Sequence, residues 1–489
     1  MTGDGAISSP EVPGPVAGGA GSLVKGGMAG LAGAVVNAGS QFLIVVALTR
    51  GLDTGTAGAV FTATTLCLMV AGILRLDSGN GLIYFIARSR RHGEQDISRY
   101  FRAALAPVIV LSILTAIIVI VWGDAITAVL LPNPAPAVSG AVTAAPGPDS
   151  VTAGSGGVMA GSGAVTVMLG AAIRTLAVAL PVIVCADVLV SATRGLGSMR
   201  PTALLSGVLQ PGAQFVLVGG LALTGAASGL SWTLPAAWAV PALPVLVLSA
   251  LWLRRRVPSG PYVSGTAGEF WRYAAPRALG GAVQAVFQRL DIVIVAMLAG
   301  PEEAALYTAA TRFKVVGQLV NQGLAQAVQP RLVRALAEGD LSLARKLYQT
   351  TTMWLVVLTW PLWLAYAALA PWLLRVFGDG YRHGAAVAAV LAATMMLATS
   401  CGMVDVVLIA AGHTASSMMN ILGAIAVTVA LDVLLVPAHG AFGAVLGWSG
   451  GVLAKNVLPL LQIARLYELR PFGVHSLPSL RPWRVEEAT

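Results

Sequence analysis

The chain has 489 residues, 56% of them hydrophobic and only 10% charged, with a mean hydropathy of +0.80. That composition excludes a soluble globular domain and places the chain in a bilayer. The net charge of +9 is carried singly or in short clusters between apolar runs, which is the pattern of membrane loops and excludes a nucleic-acid surface.

Residues 1–21 lack a basic stretch followed by an apolar core, so they read as a disordered cytoplasmic tail and not a signal peptide. A helix needs roughly 20 residues to cross ~30 Å of hydrocarbon. Cutting the chain at charges and Pro/Gly clusters then gives twelve spans: 24–48, 57–86, 103–123, 172–193, 203–224, 232–253, 275–299, 304–328, 348–370, 385–411, 415–437 and 441–464. Cys67, Cys185 and Cys401 each fall alone in an apolar run and read as small buried hydrophobes.

Orientation follows from the thirty Lys and Arg residues. With the N-terminus inside, 21 of them fall on the inner side and only Arg50, Arg174, Arg375 and Arg382 on the outer. Both termini are therefore expected to be cytoplasmic. Five cations lie within spans: Arg75, Arg289, Arg312, Lys314 and Lys455. Arg312 and Lys314 stand about nine and eleven residues into a mostly apolar run from Ala304 to Val328. A cation there costs ~2.5–3.5 kcal/mol on insertion scales, which makes it a candidate for function.

The chain repeats itself weakly. Phe61-Thr62-Ala63-Thr64-Thr65 opens span 2 as Tyr307-Thr308-Ala309-Ala310-Thr311 opens span 8, an offset of 246. Ala186-Asp187-Val188-Leu189 resembles Val404-Asp405-Val406-Val407 at an offset of 218, and the difference of 28 matches a Pro/Gly/Ala/Ser tract at 132–163, read as a flexible external loop. The expected organisation is an N-terminal six-helix half at 22–254, a C-terminal half at 255–466 and a cytoplasmic tail at 467–489. Six spans per half is an even number, so the halves share one orientation, and transporters built this way bind substrate between them.

Arg277, Gly281, Gln284, Gln288 and Asp291 share a face of span 7, and Thr311, Lys314, Gln318, Asn321 and Gln329 share one of span 8. Each stripe faces either a water-filled cavity or a helix contact. Span 1 offers Lys25 near its start and a small, polar face of Gly26, Gly30, Gly33, Asn37 and Gln41. Asp291 is placed to pair with Arg289, Lys314 or Arg312, or to bind a coupling cation. Asp187 and Asp405 are expected to pair locally, near Arg194 and His413. Asp77-Ser78-Gly79-Asn80-Gly81 marks either a break in span 2 or its end. No Walker loop or HExxH motif is present, and no metal, cofactor or catalytic residue is expected.

Several pieces resemble a known family: Asp291-Ile-Val-Ile-Val-Ala-Met-Leu-Ala-Gly300, Ala305-Leu-Tyr307, Gln329-Pro330-Arg331, Phe377-Gly378-Asp379-Gly380-Tyr381, Ala410-Ala-Gly412-His413 and Gly440-Ala-Phe-Gly443. In order and spacing they are similar to the polysaccharide or lipid-linked oligosaccharide flippases (Wzx-like) of the MOP/MATE-like superfamily, over residues 22–466. The resemblance implies an all-α, V-shaped, MATE-like bundle of about twelve transmembrane helices in two halves, in a bacterial plasma membrane. It implies flipping of an undecaprenyl pyrophosphate-type oligosaccharide, with Arg75, Lys314, Arg277, Arg312 and Lys25 matching the family's cationic cavity. Membrane lipids and enzymes of polysaccharide assembly, a polymerase and glycosyltransferases, are the implied partners. Lipid II flippases typically carry several arginines on the first two helices and two further C-terminal helices, so a surface-polysaccharide precursor fits better. A cation-coupled drug or metabolite exporter and a non-transporting scaffold are the competing readings.

Overall fold

The computed structural model describes residues 20–91, 97–131, 155–225, 230–257 and 265–476, and these are helical apart from short turns. The N-terminal tail, most of the 132–163 tract and the end of the C-terminal tail lie outside the described residues. In the first half, span 1 is α1 (Ala20–Gly51) and span 2 is split into α2 (Thr54–Leu74) and α3 (Ser78–Arg91). Span 3 is α4 (Ser98–Val121) with a short α5 (Gly123–Leu130), and span 4 is α6 (Ser155–Gly195). Because α6 starts at Ser155, the last residues of the tract are helical instead of loop.

Span 5 alternates π-helical turns (Thr202–Leu209, Phe215–Gly219) with α7 (Gln210–Gln214) and α8 (Gly220–Thr224), and span 6 is α9 (Thr233–Ala239) with α10 (Ala242–Arg254). The second half begins with α11 (Thr266–Phe287) and α12 (Leu290–Ala299), then α13 (Pro301–Thr311) and α14 (Lys314–Ala337). It ends with α15 (Leu341–Leu373), α16 (Ala385–Ser400), α17 (Val404–Ala410) and α18 (Thr414–Tyr467).

Among the described residues nine helical stretches are long and apolar enough to cross a membrane, and α11 with α12 form a tenth that bends by 44°. The stretch α18 contains spans 11 and 12, which turn back at Gly440 (φ 54°, ψ −132°). Span 8, α13 and α14 together, completes the twelve, and it is the least apolar because it carries Glu302, Glu303, Arg312 and Lys314.

Among the described residues five spans are interrupted in mid-course, span 6 at Val240–Pro241 between α9 and α10 being one. In span 2, Leu76 and Asp77 both adopt left-handed φ (49° and 52°), a conformation that costs a non-glycine residue roughly 1–2 kcal/mol. Span 7 breaks at Gln288–Arg289, span 8 at Arg312–Phe313, and span 10 at Gly402 (φ 74°). Backbone groups freed this way are tolerated at membrane depth only where protein or a cavity meets them.

Close backbone approach ties the helices together. Spans 11 and 12 pack through Gly443, Gly447 and Gly451, whose missing side chains leave room for Leu435, Asp432 and Thr428. Gly33 of span 1 meets Gly207 of span 5 backbone to backbone, and Gln41 donates to Gln214 at 3.2 Å, so this face of span 1 is a helix contact. At the end of the bundle that holds Gly51 and Pro301 the halves close on each other: Gly58 of α2 lies against the carbonyl of Pro301, and Arg50 donates to the carbonyls of Val376 (2.9 Å) and Arg375 (2.6 Å). Glu303 caps span 12 by accepting from the amide of Ala441 at 2.7 Å.

Gly58→Leu should therefore lower the unfolding midpoint in detergent, because overpacking costs typically 1–3 kcal/mol. Gly280→Ala, where a methyl would meet nothing within 4 Å, should not lower it. Equal midpoints for wild type and Gly58→Leu would show that the halves do not depend on this approach.

Candidate functional site between the two halves

Asp291 occupies the first turn of α12, just past the break in span 7, where unpaired amides favour a carboxylate. It is 1% exposed. Its Oδ1 accepts from the amide of Ile292 at 2.9 Å, and its Oδ2 accepts from the Tyr307 hydroxyl at 2.9 Å. The Lys314 ammonium donates to the same oxygen at 3.5 Å and lies 5.4 Å from the centre of the Trp448 ring. Of the alternatives open to Asp291 in the sequence, the structure takes Lys314.

Asp432 of span 11 is fully buried and within electrostatic reach of Asp291. Neither of its carboxylate oxygens has a hydrogen-bond partner, and the Thr428 hydroxyl one turn away is equally unpartnered. The sequence reading passed over Asp432 because it stands alone among apolar residues. Its one signal was a carboxylate in the middle of an apolar span.

Most mid-membrane cations are matched by carboxylates. Arg75 pairs with Asp187 at 3.7 Å, Arg277 with Asp77 at 2.8 Å, and Lys455 with Asp405 at 3.6 Å. The ion pairs of Asp187 and Asp405 thus reach to other spans; the expected Arg194 acts on Asp187 only at longer range, and His413 contacts the Tyr467 hydroxyl at 2.9 Å. The Arg277–Asp77 pair joins span 7 to span 2 at the strained Leu76–Asp77 break. Beside it Tyr84 stacks on Tyr273 at 4.4 Å, and Arg88 pairs with Glu269 at 3.1 Å.

Two guanidinium groups differ. Arg289 and Arg312 stand at the breaks of spans 7 and 8, and neither side chain has a hydrogen bond or ion pair among the described residues; the Nε of Arg312 is shielded from solvent and unpartnered. Both line a cavity of about 110 Å³ between the halves, with Lys314 and Gln288 from the second half and Gln41 and Thr64 from the first. That volume holds several waters or one small anionic group.

Of the other predicted residues, Gln284 is half-buried in α11, whereas Asn37, Gln318 and Asn321 are exposed. Lys25 lies in the first turns of α1, outside the residues whose side chains are described. Val35, Val36 and Asn37 of α1 are exposed, as are Gln318 and Asn321 of α14. α1 packs mainly on span 5, and α14 on α15 and α17.

The MatE family model matches residues 276–434, from span 7 into span 11. No curated protein matches the chain by sequence. Among solved structures the chain is similar to an inward-facing multidrug resistance MATE family transporter of the MOP superfamily, with a TM-score of 0.69, 14% identity, and coverage of 89% of this chain and 98% of that one. It is similar to the lipid II flippase MurJ in an inward closed conformation, with a TM-score of 0.67, 11% identity and coverage of 90% and 87%. A MOP superfamily transporter from Pyrococcus furiosus, described as having reverse polarity of its binding pocket, matches at 0.60 and 15% identity, over 91% and 95%. The fold is the V-shaped, two-half helical architecture of these MATE-type structures.

Because Asp291 accepts three hydrogen bonds and Asp432 accepts none among the described residues, the two carboxylates should respond oppositely to substitution. Asp291→Ala leaves Lys314 buried without its counter-charge and should cost about 3–5 kcal/mol. Asp432→Asn removes an uncompensated charge and should leave the unfolding midpoint in detergent unchanged or higher. A severe loss in Asp432→Asn would mean that this carboxylate has a structural partner.

Proposed function

We propose that this protein flips a lipid-linked oligosaccharide of the undecaprenyl pyrophosphate type from the inner to the outer leaflet of a bacterial plasma membrane, by alternating access, for surface polysaccharide biosynthesis. The observation that carries the reading is the pair of unpartnered guanidinium groups, Arg289 and Arg312, facing one cavity between the halves. A pyrophosphate leaving water needs charge-assisted contacts, and arginines that no carboxylate already occupies are the ones free to supply them. In this reading the lipid tail stays in the bilayer, passing through a lateral opening between the halves, while the head group enters. A cavity of about 110 Å³ is too small for the sugars, so the bound state is a wider, inward-open one. Both termini are cytoplasmic in this reading, and the polymerase and glycosyltransferases of polysaccharide assembly are its partners.

The test is flipping of an undecaprenyl-pyrophosphate-linked oligosaccharide in proteoliposomes, scored by access of an externally added glycosidase. A lost contact to a charged group is worth ~1.5–3 kcal/mol. Arg312→Gln and Arg289→Gln should thus each slow flipping by about tenfold or more while the protein stays monodisperse. Flipping at the wild-type rate in both variants would end this assignment of the cavity. Lys314→Ala is a less clean probe, since it also strips Asp291 of its partner.

The second reading, a cation-coupled exporter of drugs or metabolites, is favoured by one observation: the buried Asp291–Asp432 pair, of which Asp432 is bare. Two carboxylates at close quarters do not both stay ionised without a cation or proton between them. In this reading Asp432→Asn abolishes the dependence of transport on an imposed proton or sodium gradient. In the flippase reading the same substitution should instead leave gradient-independent flipping of the lipid-linked sugar intact. Export of a cationic dye by wild type, with no flipping of the sugar lipid, would favour the exporter over the flippase.

A further inference from the structure

Away from the interface between the halves, α14 and α15 run antiparallel from the short turn at 338–340 and leave a groove of about 350 Å³ between them. Its α14 wall is Leu324, Val328 and Arg331, and its α15 wall is Thr350, Trp354 and Leu358. The spacings of three or four residues put each set on one helix face. Trp354 and Leu358 are 44% exposed apolar side chains of a membrane-spanning helix, so what they face in the bilayer is lipid.

We infer that this groove binds an anionic phospholipid of the leaflet at the basic, inner end of the bundle. Depth carries the first step. Arg331 lies six residues before the end of α14, and Lys346 lies five residues into α15, one turn from Thr350. At 1.5 Å per residue, both cations sit about 8–9 Å from the turn, level with each other at the inner end of the groove. From there the apolar floor runs about 10 Å deeper along α14, from Arg331 to Leu324. A head group at the cations therefore places its acyl chain along Val328, Trp354 and Leu358.

Charge carries the second step. The turn and its flanks hold Arg331, Arg334, Arg345 and Lys346 against Glu338 and Asp340. Asp340 is committed locally: it caps α15 by accepting from the amide of Leu343 at 2.9 Å and the hydroxyl of Ser342 at 2.7 Å, bonds that hold its carboxyl below its ordinary range. Basic pockets between transmembrane helices on the cytoplasmic side recognise anionic head groups, with each cation contributing about fivefold in affinity. The site is independent of the transport reading, because Arg331 stands nineteen residues along span 8 from Arg312.

The experiment uses the full chain in phosphatidylcholine vesicles in which a fraction of the lipid is either brominated phosphatidylglycerol or brominated phosphatidylcholine. The emission of Trp354 is taken as the difference between wild type and Trp354→Phe. Trp372, 61% exposed on the same helix away from this groove, is isolated in the same way with Trp372→Phe and reports folded, inserted protein. Trp354 should be quenched several-fold more effectively by the phosphatidylglycerol, with the preference falling about fivefold in Arg331→Gln and again in Arg331→Gln/Lys346→Gln. Trp372 should be quenched alike by both lipids in every variant. Equal quenching of wild-type Trp354 by the two lipids overturns the anionic site. With Trp372 quenched, a Trp354 that neither lipid reaches overturns the groove as a lipid site altogether.

Discussion

A charge inside the hydrocarbon must be matched by an opposite charge, held in water, or neutralised, and that constraint organises the middle of this bundle. Asp291 meets it most completely. It stands at the start of α12, accepts the Ile292 amide and the Tyr307 hydroxyl, and holds the Lys314 ammonium from beyond the break in span 8. One carboxylate thereby fastens the two broken spans to each other at the level of their breaks. A change in either break moves a partner of Asp291, so the geometry of spans 7 and 8 is set jointly.

Backbone contact does the corresponding work where no charge is involved. The Gly443, Gly447, Gly451 row lets span 12 lie on span 11, and the approach at Gly447 leaves Asp432 pressed against bare backbone. That packing explains how a carboxylate can be fully buried yet have no hydrogen bond: the helix beside it offers only backbone already used by its own turns. The packing that stabilises the second half also isolates an acid beside Asp291. The seal between the halves, from Gly58 against Pro301 to Arg50 on the 375–376 carbonyls, is likewise built on backbone.

The twelve spans were legible because hydropathy over about 20 residues is a strong signal and the bilayer sets its length. Span 8 was legible as a mostly apolar run from Ala304 to Val328 despite its charges. At Asp77–Gly81 a break in span 2 and its end were both open, and the structure has the break, with the strained positions Leu76 and Asp77 at the start of that segment. Pairing was not legible. Asp187 meets Arg75, more than a hundred residues away, and Asp405 meets Lys455 of span 12, whereas the expected Arg194 acts on Asp187 only at longer range and His413 was only a neighbour in sequence. The two pairs also use spans that are not related by the repeat, so internal similarity could not have supplied the partners. Gln288, Arg312 and Lys314 do meet at one cavity, but Asn37, Gln318 and Asn321 lie in exposed positions.

Counting cations in spans therefore overstates the charge available to an anion. Arg75, Arg277, Lys314 and Lys455 each have a carboxylate within 4 Å, and an anion drawn to any of them must displace that partner or share it. Arg289 and Arg312 repel one another in the same cavity; among the described residues Asp291 and Asp187 act on Arg289 only from beyond ion-pair distance and no carboxylate acts on Arg312, so an anion there offsets a repulsion without displacing a bonded partner. Both arginines also stand at helix breaks, where a change in backbone direction alters their separation. If the cavity takes the anion proposed above, its affinity and the bending of spans 7 and 8 are linked through the same two side chains, which is the coupling that alternating access requires.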